Sequence, residues 1–324
     1  MRKTQRDGTR MALSVAVVMD PIADITPYKD TTLALLLEAQ RRGHHLHYLE
    51  MGDLFVRDGA ARGATRRLTV RDDNDDWFDL HEGAELALGD LDVILMRKDP
   101  PFDMEYIYAT YVLERAQEAG ALVVNRPQAL REINEKMAIT AYPHLCAPTL
   151  VTREAGRIRD FLAEQGDIVL KPLDGMGGSR IFRLQAGDPN IGVTIEVLTE
   201  HGSRYAMAQR YLPAISEGDK RVLVIDGEPV PHVLARIPTP GESRGNLAVG
   251  GRGQGVDLTP AEARICREIA PMLKDKGLIF VGIDVIGDKL TEINVTSPTC
   301  VRELDKIFGV NIAARFWEAV ERRL

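Results

Sequence analysis

Hydrophobic and polar positions in the first third of the chain form short apolar runs separated by longer amphipathic segments. The short runs are rich in β-branched residues and predict strands at residues 14–20, 46–49, 92–96 and 121–125. Helical spacing of apolar residues predicts helices at 31–42 and 105–119. Strands that alternate with helices indicate a parallel α/β domain.

After residue 126 the pattern changes to short strands, hairpins and isolated helices, which indicates an α+β arrangement. A helix predicted at 126–141 spans this change. We place a domain boundary at 128–134, so that one domain covers residues 12–133 and the other 134–324. Strands are predicted at 167–171, 181–184, 205–211, 221–225 and 229–236, and helices at 158–165, 193–201, 261–276 and 312–323.

Two segments lack periodicity. Residues 57–90 are charged and predict loop with short irregular elements. Residues 237–255 are rich in glycine, and an aperiodic stretch of this length inside a compact domain is typical of a lid or a disordered insert. Arg244, Asn246 and Arg252 favour the lid, because they could contact negative charge once the loop closes. An exposed linker is the alternative.

Composition narrows the class of protein. The 324 residues are 44% hydrophobic and carry a net charge of −7, which argues against nucleic acid or an anionic membrane as the main partner. Cys146, Cys266 and Cys300 lack zinc-ligand spacing and read as reduced thiols of a cytoplasmic protein. No apolar stretch approaches the roughly 20 residues that span a bilayer. Residues 1–11 are expected to be a disordered extension.

A hairpin near the C-terminus carries oxygen ligands. Asp284 lies on one apolar run, Glu292 and Asn294 on the next, and Gly287-Asp288-Lys289 join them. A three-residue loop would place the three side chains on one face. Carboxylates and an amide suit Mg²⁺, which often binds substrate phosphates as well. The alternative is an ordinary amphipathic hairpin, and a two-residue loop would favour it by separating Asp284 from Glu292.

A glycine-rich loop between two predicted strands is the second candidate. It begins at Lys171 and ends at Ser179, and Gly175, Gly177 and Gly178 let its backbone amides close over an anion. Neither the Walker nor the Rossmann glycine pattern is present. A flexible hairpin turn is the alternative. Because paired carboxylates repel a triphosphate unless a divalent cation lies between them, loop and hairpin together indicate an Mg-ATP site for phosphoryl transfer.

Five blocks carry a resemblance that covers nearly the whole chain from residue 13. They are residues 19–22 (MDPI), 36–43 (LLEAQRRG), 92–101 (DVILMRKDPP), 171–178 (KPLDGMGG) and 292–300 (EINVTSPTC). The chain resembles the ATP-grasp superfamily and, more closely, the prokaryotic glutathione synthetase family. The resemblance implies an N-terminal α/β domain followed by a two-subdomain ATP-grasp fold, and a homotetramer. It also implies ATP-dependent joining of γ-glutamylcysteine and glycine through an acyl phosphate.

The resemblance implies roles for particular residues. It assigns binding of the phosphates of ATP to Lys136, Lys171 and the loop from Asp174 to Ser179, which includes Met176. It assigns binding of adenine to Gln209, Tyr211 and Leu212, and binding of ribose to Asp219. Arg221 and Arg236 fall near the acyl phosphate. Asp284, Glu292 and Asn294 fall to two Mg²⁺ ions, with Mn²⁺ as an alternative. Lysine and arginine side chains are otherwise mostly solvated surface charges.

Two further groups follow from position in the first domain. Arg97, Lys98 and Asp99 follow a predicted strand, where α/β sheets bind ligands, and are candidates for recognising the peptide substrate. His44, His45 and His47 lack an acidic partner at ligand spacing and are expected to be structural. Two other functions stay open: a carboxylate-amine ligase of the D-alanine ligase type, and a regulatory protein that binds nucleotide without turnover.

Overall fold

The structure is a computed structural model that describes residues 12–242, 244–247 and 250–324. The expected extension of residues 1–11 lies outside the described residues, and so do Ser243, Ala248 and Val249 of the predicted lid. The mixed α/β architecture predicted from the sequence is confirmed. In the described part of the chain, no helix combines the length and apolar character needed to cross a membrane.

The first sheet is built from residues 14–124. Its strands are β1 (Ser14–Val18), β2 (His45–Leu49), β3 (Leu54–Arg57), β4 (Ala60–Val70), β5 (Phe78–Ala87), β6 (Val93–Met96) and β7 (Leu122–Val124). Helices α1 (Thr31–Arg41), α2 (Met104–Ala119) and α3 (Pro127–Glu132) belong to the same region. The strand order is β3-β4-β2-β1-β6-β7, with β5 beside β4. Strands β2, β1, β6 and β7 are parallel, and β1 and β6 are apolar and almost wholly buried.

The prediction of loop at 57–90 is wrong, because this segment forms the long antiparallel hairpin of β4 and β5. The residues of β4 that face inward include Ala61, Gly63 and Thr65, which are small or polar. An irregularity in the pairing between Arg66 and Leu68 then shifts the phase of the alternation. Small inward residues and a shifted phase together hide the two-residue period on which strand prediction depends.

The second sheet is antiparallel and belongs to residues 149–210. Its strands are β8 (Thr149–Thr152), β9 (Asp167–Pro172), β10 (Phe182–Gln185) and β11 (Ala206–Arg210), in the order β10-β9-β11-β8. Helices α4 (Ala155–Gln165) and α5 (Ile191–Thr199) supply Ile158, Leu162 and Ile195 to its core. The glycine-rich loop connects β9 to β10, so the hairpin predicted there is confirmed.

The third sheet carries the predicted metal hairpin. Its strands are β12 (Asp219–Ile225), β13 (Glu228–Pro229), β14 (His232–Ile237), β15 (Arg252–Asp257), β16 (Phe280–Ile286) and β17 (Lys289–Asn294). They run antiparallel in the order β15-β14-β12-β16-β17, with β13 beside β12. Helices α6 (Pro260–Asp275), α7 (Val301–Phe308) and α8 (Ile312–Glu321) follow the pattern of apolar residues.

Two predicted boundaries need correction. The aperiodic loop is shorter than 237–255, because β15 begins at Arg252. Arg252 pairs with Ile237, the last residue of β14. A Cβ atom on Gly255 would lie 2.5 Å from Cε2 of Phe308, so this glycine permits close packing of β15 against α7 rather than loop flexibility. Arg252 therefore lies on a strand, where it is exposed.

The helix predicted at 126–141 is also wrong, because the chain leaves α3 after Glu132 and resumes as a short 3₁₀ helix at Met137–Ala141. The Oδ1 atom of Asn134 accepts hydrogen bonds from the backbone N–H groups of Lys136 (3.1 Å) and Met137 (2.9 Å). Its amide donates to the Leu173 carbonyl at 3.0 Å. These bonds compete with a continuous helix and turn the chain at residues 134–136, where the Glu135 carbonyl accepts a hydrogen bond from Ile293 N of β17 at 2.9 Å.

Asn125 joins the first sheet to the third. Its side-chain amide donates to the carbonyls of Phe280 and Val295, both at 2.7 Å, and its Oδ1 accepts from Ile279 N (2.8 Å) and Phe280 N (3.0 Å). The residue is 3% exposed. Both polar atoms of the Asn125 side chain therefore make hydrogen bonds in a buried interface. A backbone group left without a partner there would destabilise the fold.

We expect Asn125→Ala to lower the free energy of unfolding by about 2 to 4 kcal/mol, because it leaves buried backbone groups without partners. Chemical denaturation of the purified variant measures this loss. Asn190→Ala is the matched control, since Asn190 is exposed and its side chain makes no capping bond at the start of α5. A loss no larger than that of the control would contradict the interpretation.

Candidate active site

A cavity with a volume of about 570 Å³ lies where the three sheets meet. Its walls include most of the residues selected from the sequence: Arg97, Lys171, Gly175, Met176, Gly177, Gly178, Gln209, Tyr211, Leu212, Asp219, Arg221, Arg236, Arg244, Asn246, Glu292 and Asn294. Lys136 and Asp284 lie behind the wall, in contact with Glu292 and Arg221 respectively. Ser179, Arg252 and Lys98 do not line the cavity.

The loop of the metal hairpin has two residues, not three, because Ile286 pairs with Lys289. Gly287 has a φ of +60°, which suits the first position of such a tight turn. A two-residue loop alone would separate Asp284 from Glu292, but the register shifts between Asp284 and Val285. Thr291 is the extra residue of this bulge, and Asp284 therefore faces Glu292 after all.

Asp284 is held by two arginines. Arg221 donates from Nε to Oδ1 at 2.5 Å and from Nη2 to Oδ2 at 2.9 Å, and Arg236 Nη2 lies 2.9 Å from Oδ2. Burial opposes the charge of this carboxylate, but the two guanidinium groups outweigh it and hold the pKa of Asp284 below its usual range. The Asn294 amide donates to the same Oδ2 at 3.3 Å.

Glu292 faces two lysines at the boundary of the second and third sheets. Its Oε1 lies 3.6 Å from Nζ of Lys136 and 3.9 Å from Nζ of Lys171. Lys136 Nζ also donates to the Gly175 carbonyl at 2.6 Å and to the carboxylate of Glu135. Burial lowers the pKa of Lys171, whereas Glu292 and Glu135 outweigh burial at Lys136 and raise its pKa. Lys136 thus contacts both the carboxylate of Glu292 and the glycine-rich loop.

The chemical types of the candidate ligands, carboxylate and amide oxygens, suit a divalent cation such as Mg²⁺. Within the described residues, no three His, Cys, Asp or Glu side chains converge on one metal position. Two carboxylates and the amide of Asn294 offer hard oxygen ligands, but both oxygens of Asp284 already accept hydrogen bonds from arginine. Glu292 is the more open carboxylate. Such a set leaves positions for substrate oxygens, as Mg²⁺ sites commonly do.

Part of the lid segment touches the glycine-rich loop. Arg244 donates from Nη1 to the Gly178 carbonyl at 2.9 Å. A Cβ atom on Gly178 would lie 2.6 Å from Oδ1 of Asn246, and the φ of +80° at this glycine also disfavours a side chain. Arg244 and Asn246 therefore lie at the mouth of the cavity, against the loop predicted to hold an anion.

The end of β11 and the residues that follow it form another wall. Gln209 donates to Oγ1 of Thr149 at 3.0 Å, and the backbone N–H of Tyr211 donates to the Asp167 carbonyl at 2.9 Å. Leu212 and Val169 add apolar surface. Apolar side chains beside the aromatic ring of Tyr211 suit the base of a nucleotide.

Asp219 lies between this wall and the two arginines. Its Oδ2 accepts from Arg236 Nη2 at 2.5 Å, and its Oδ1 makes no hydrogen bond within the described residues. Burial raises the pKa of this carboxyl, although Arg236 acts in the opposite direction. A buried oxygen without a partner at the cavity wall is typical of a ligand contact rather than of a structural ion pair.

The first domain closes the far end of the cavity. Arg97 is buried, donates from Nε to Oγ1 of Thr32 at 3.1 Å and from Nη2 to the Pro298 carbonyl at 3.0 Å. Asp99 also lines the cavity and accepts from the Ser297 hydroxyl. Lys98 pairs with Asp20 at 2.7 Å. His44, His45 and His47 lie away from the cavity, on or beside β2.

Glu135 and Arg183 are among the residues of the cavity wall that were missed from the sequence. Glu135 precedes Lys136, and burial and the charge of Glu292 raise its pKa. The signal was present in Asn134, which breaks the helix and turns this segment toward the cavity. Arg183 lies with its guanidinium carbon 3.6 Å from the ring centroid of Tyr211. No local motif marks Arg183, because its partners Asp167 and Tyr211 lie in other segments of the chain.

The fold and the cavity together define a class of protein. A glycine-rich hairpin of one antiparallel sheet faces carboxylate-bearing strands of another, and an α/β domain closes the cavity at its far end. This is the arrangement of an ATP-grasp ligase. An ATP-grasp ligase of known structure, PsnB complexed with a precursor variant, Mg and ADP, has the same fold, with a TM-score of 0.62, 19% identity, and coverage of 97% of this chain and 99% of that chain.

Sequence comparisons identify the family. Residues 13–131 match the N-terminal domain of prokaryotic glutathione synthetase, and residues 135–309 match its ATP-grasp domain. The chain is 59% identical to a glutathione synthetase of Escherichia coli (strain K12) over 96% of its length and 99% of that protein. It is 60% identical to a glutathione synthetase of Yersinia pestis, with coverage of 96% and 98%. The chain belongs to the prokaryotic glutathione synthetase family.

Proposed function

We propose that the protein is an ATP-dependent ligase that joins γ-glutamylcysteine to glycine and forms glutathione, ADP and phosphate. Identity of 59% to glutathione synthetases over nearly the whole chain carries this conclusion. The resemblance found in the sequence is thereby confirmed, and the alternative of a D-alanine ligase type has no support. The reaction requires ATP and a divalent metal, and we propose two Mg²⁺ ions, with Mn²⁺ as an alternative.

The chemistry explains why the cavity needs no nucleophilic side chain. A carboxylate is a poor electrophile, so phosphoryl transfer from ATP first converts the cysteinyl carboxylate to an acyl phosphate. The glycine amine then attacks the acyl carbon, and phosphate leaves. Catalysis therefore rests on positioning and on stabilisation of negative charge. Buried cations in a water-poor cavity are well suited to both tasks.

We assign the phosphate chain of ATP to Lys136, Lys171 and the loop of residues 174–179. Lys136 Nζ reaches the Gly175 carbonyl and Glu292 at once, so it ties the loop to the metal hairpin. We assign the base to Gln209, Tyr211 and Leu212 and the ribose to Asp219, whose Oδ1 makes no hydrogen bond within the described residues. Within the loop, Asp174 and Ser179 are the weakest assignments, because neither lines the cavity.

We assign the transferred phosphoryl group to Arg221 and Arg236. Both arginines line the cavity and both contact Asp284, which fixes their direction and keeps them charged. Asp284, Glu292 and Asn294 would hold the divalent cation, which supplies charge neutralisation between the triphosphate and the substrate carboxylate. Hydrogen bonding to arginine leaves Asp284 fewer free lone pairs than Glu292 for this purpose.

We assign the peptide substrate to the far end of the cavity, beside Arg97. Closure of the segment that carries Arg244 and Asn246 would protect the acyl phosphate from water. Arg252 is a weaker candidate for this lid, since it lies exposed on β15. We also propose a cytoplasmic homotetramer whose first domain is residues 12–133 and whose ATP-grasp domain is residues 134–324.

Phosphate release by purified protein tests the function. We expect release in the presence of Mg-ATP, γ-glutamylcysteine and glycine, and a fall to background when any one of them is omitted. Release without glycine, at the same rate, would indicate nucleotide hydrolysis alone. No release with the complete mixture, together with release when D-alanine replaces both amino substrates, would refute the assignment.

A further inference from the structure

Arg183 forms a stack on the wall assigned to the base of ATP. It lies on β10, and its guanidinium carbon is 3.6 Å from the ring centroid of Tyr211. Both residues line the cavity. At this distance the planar guanidinium and the aromatic ring are in van der Waals contact as well as in a cation–π arrangement.

Asp167 fixes the guanidinium from the side. Arg183 donates to it from Nε to Oδ1 at 3.0 Å and from Nη2 to Oδ2 at 2.6 Å. The pair is bidentate, so it sets the plane of the guanidinium as well as its position. Hydrogen bonding to Asp167 raises the pKa of Arg183, which keeps the charge and the planar shape of the group.

The same aspartate also holds the backbone of Tyr211. Its carbonyl accepts from the N–H of Tyr211 at 2.9 Å. Asp167 therefore binds the backbone of Tyr211 through its carbonyl, and its carboxylate holds the Arg183 guanidinium over the tyrosine ring. Three residues from three segments form one rigid unit at the point where the chain leaves β11.

The pairing with Asp167 also restricts what Arg183 can do. A guanidinium that already donates two hydrogen bonds to a carboxylate has its charge largely neutralised and is a poor site for a phosphate. Lys136, Lys171 and the two buried arginines supply positive charge elsewhere in the cavity. What Arg183 offers to the cavity is its flat surface and the position it imposes on Tyr211.

We propose that Arg183, held by Asp167, is a positioning residue that fixes Tyr211 for binding the nucleotide base. The inference rests on the proposed ATP site. Tyr211 is half-buried and follows the end of a strand, so without the stack its ring is free to turn. Preorganisation of a binding wall strengthens binding of the ground state and the transition state equally, which changes KM and leaves kcat unaffected.

The test compares Arg183→Ala with the wild-type protein in steady-state kinetics and in calorimetric titration with a non-hydrolysable ATP analogue. We expect KM for ATP and Kd for the analogue to rise about 5-fold, the effect of losing one cation–π contact, while kcat and KM for glycine stay within about 2-fold. Arg157→Ala is the matched control. Arg157 pairs with Glu154 on the same subdomain, but both side chains are more than 60% exposed and lie away from the cavity.

A double-mutant cycle with Tyr211→Leu tests the coupling. If Arg183 acts through Tyr211, Arg183→Ala adds little to the loss of affinity in the Tyr211→Leu background. Full additivity of the two losses would overturn the inference, and so would unchanged affinity in Arg183→Ala or a fall in kcat with an unchanged KM. Absence of nucleotide binding by the wild-type protein would instead refute the proposed function, so the two failures are distinguishable.

Discussion

Replacement of Glu292 by glutamine should lower kcat about 10³-fold and leave the fold intact. Glutamine keeps the size of the side chain but removes the negative charge that would bind a divalent cation. Glu292 is the open carboxylate of the donor set, because both oxygens of Asp284 are occupied by arginine. Its Oε1 also lies 3.6 Å from Nζ of Lys136 and 3.9 Å from Nζ of Lys171, so the change also acts on the two lysines that we propose bind the phosphates of ATP.

The measurement is kcat as a function of Mg²⁺ concentration, with the melting temperature as a check on folding. We expect the Mg²⁺ concentration for half-maximal rate to rise in Glu292→Gln. Asp288→Asn is the matched control, since Asp288 lies in the loop of the same hairpin, is 63% exposed and does not line the cavity. A kcat close to that of the wild-type protein in Glu292→Gln would remove Glu292 from the metal site.

The metal hairpin shows where a sequence argument reaches the right pairing by a wrong step. The sequence suggested a three-residue loop that would place Asp284 opposite Glu292. The loop has two residues, and the bulge at Thr291 restores the pairing. Sequence alone does not distinguish these cases, because a bulge is set by packing of the strand against its neighbours rather than by the residues of the loop. The sequence therefore predicted that Asp284 and Glu292 share one face of the sheet, but it did not predict the bulge that places them there.

Lys136 shows a different limit. The sequence pattern predicted that Lys136 lies inside a helix at 126–141, which does not indicate where its side chain points. Only the family resemblance identified Lys136 as a candidate site residue. The structure turns it inward because Asn134 accepts the N–H groups of Lys136 and Met137 and so ends the helix early. Short side chains that compete for backbone N–H groups are common at such breaks, but the competing helix is equally compatible with the sequence.

The elements that could be predicted from the sequence are those with strong periodicity and clear ends. The buried strands β1 and β6 and the helix α6 with its Thr259 capping box agree with the pattern to within two residues at each end. The β4–β5 hairpin could not be predicted, because small inward residues hid its alternation. Arg183 could not be predicted either, because its partners Asp167 and Tyr211 come close to it only when three separate segments of the chain have folded together.

Replacement of Arg221 by lysine should lower kcat by about 10² to 10³-fold, because lysine keeps a positive charge but cannot reproduce the planar fork. Arg221 is buried, lines the cavity and donates to both oxygens of Asp284. In Arg221→Lys a single ammonium must serve both Asp284 and the phosphoryl group. Arg221→Met goes further, since Arg236 alone would then compensate the buried charge of Asp284.

Measurements of stability and of rate separate the structural role of Arg221 from its proposed role in catalysis. We expect Arg221→Met to lower the free energy of unfolding by about 3 to 5 kcal/mol, the usual cost of removing one partner of a buried ion pair. Arg42→Lys is the matched control, because Arg42 is equally buried and pairs with Glu38 and Glu321, yet lies outside the cavity. This control should lose stability and keep its kcat. If Arg221→Lys likewise loses only stability, with kcat unchanged, Arg221 supports the fold of the third sheet and has no part in phosphoryl transfer.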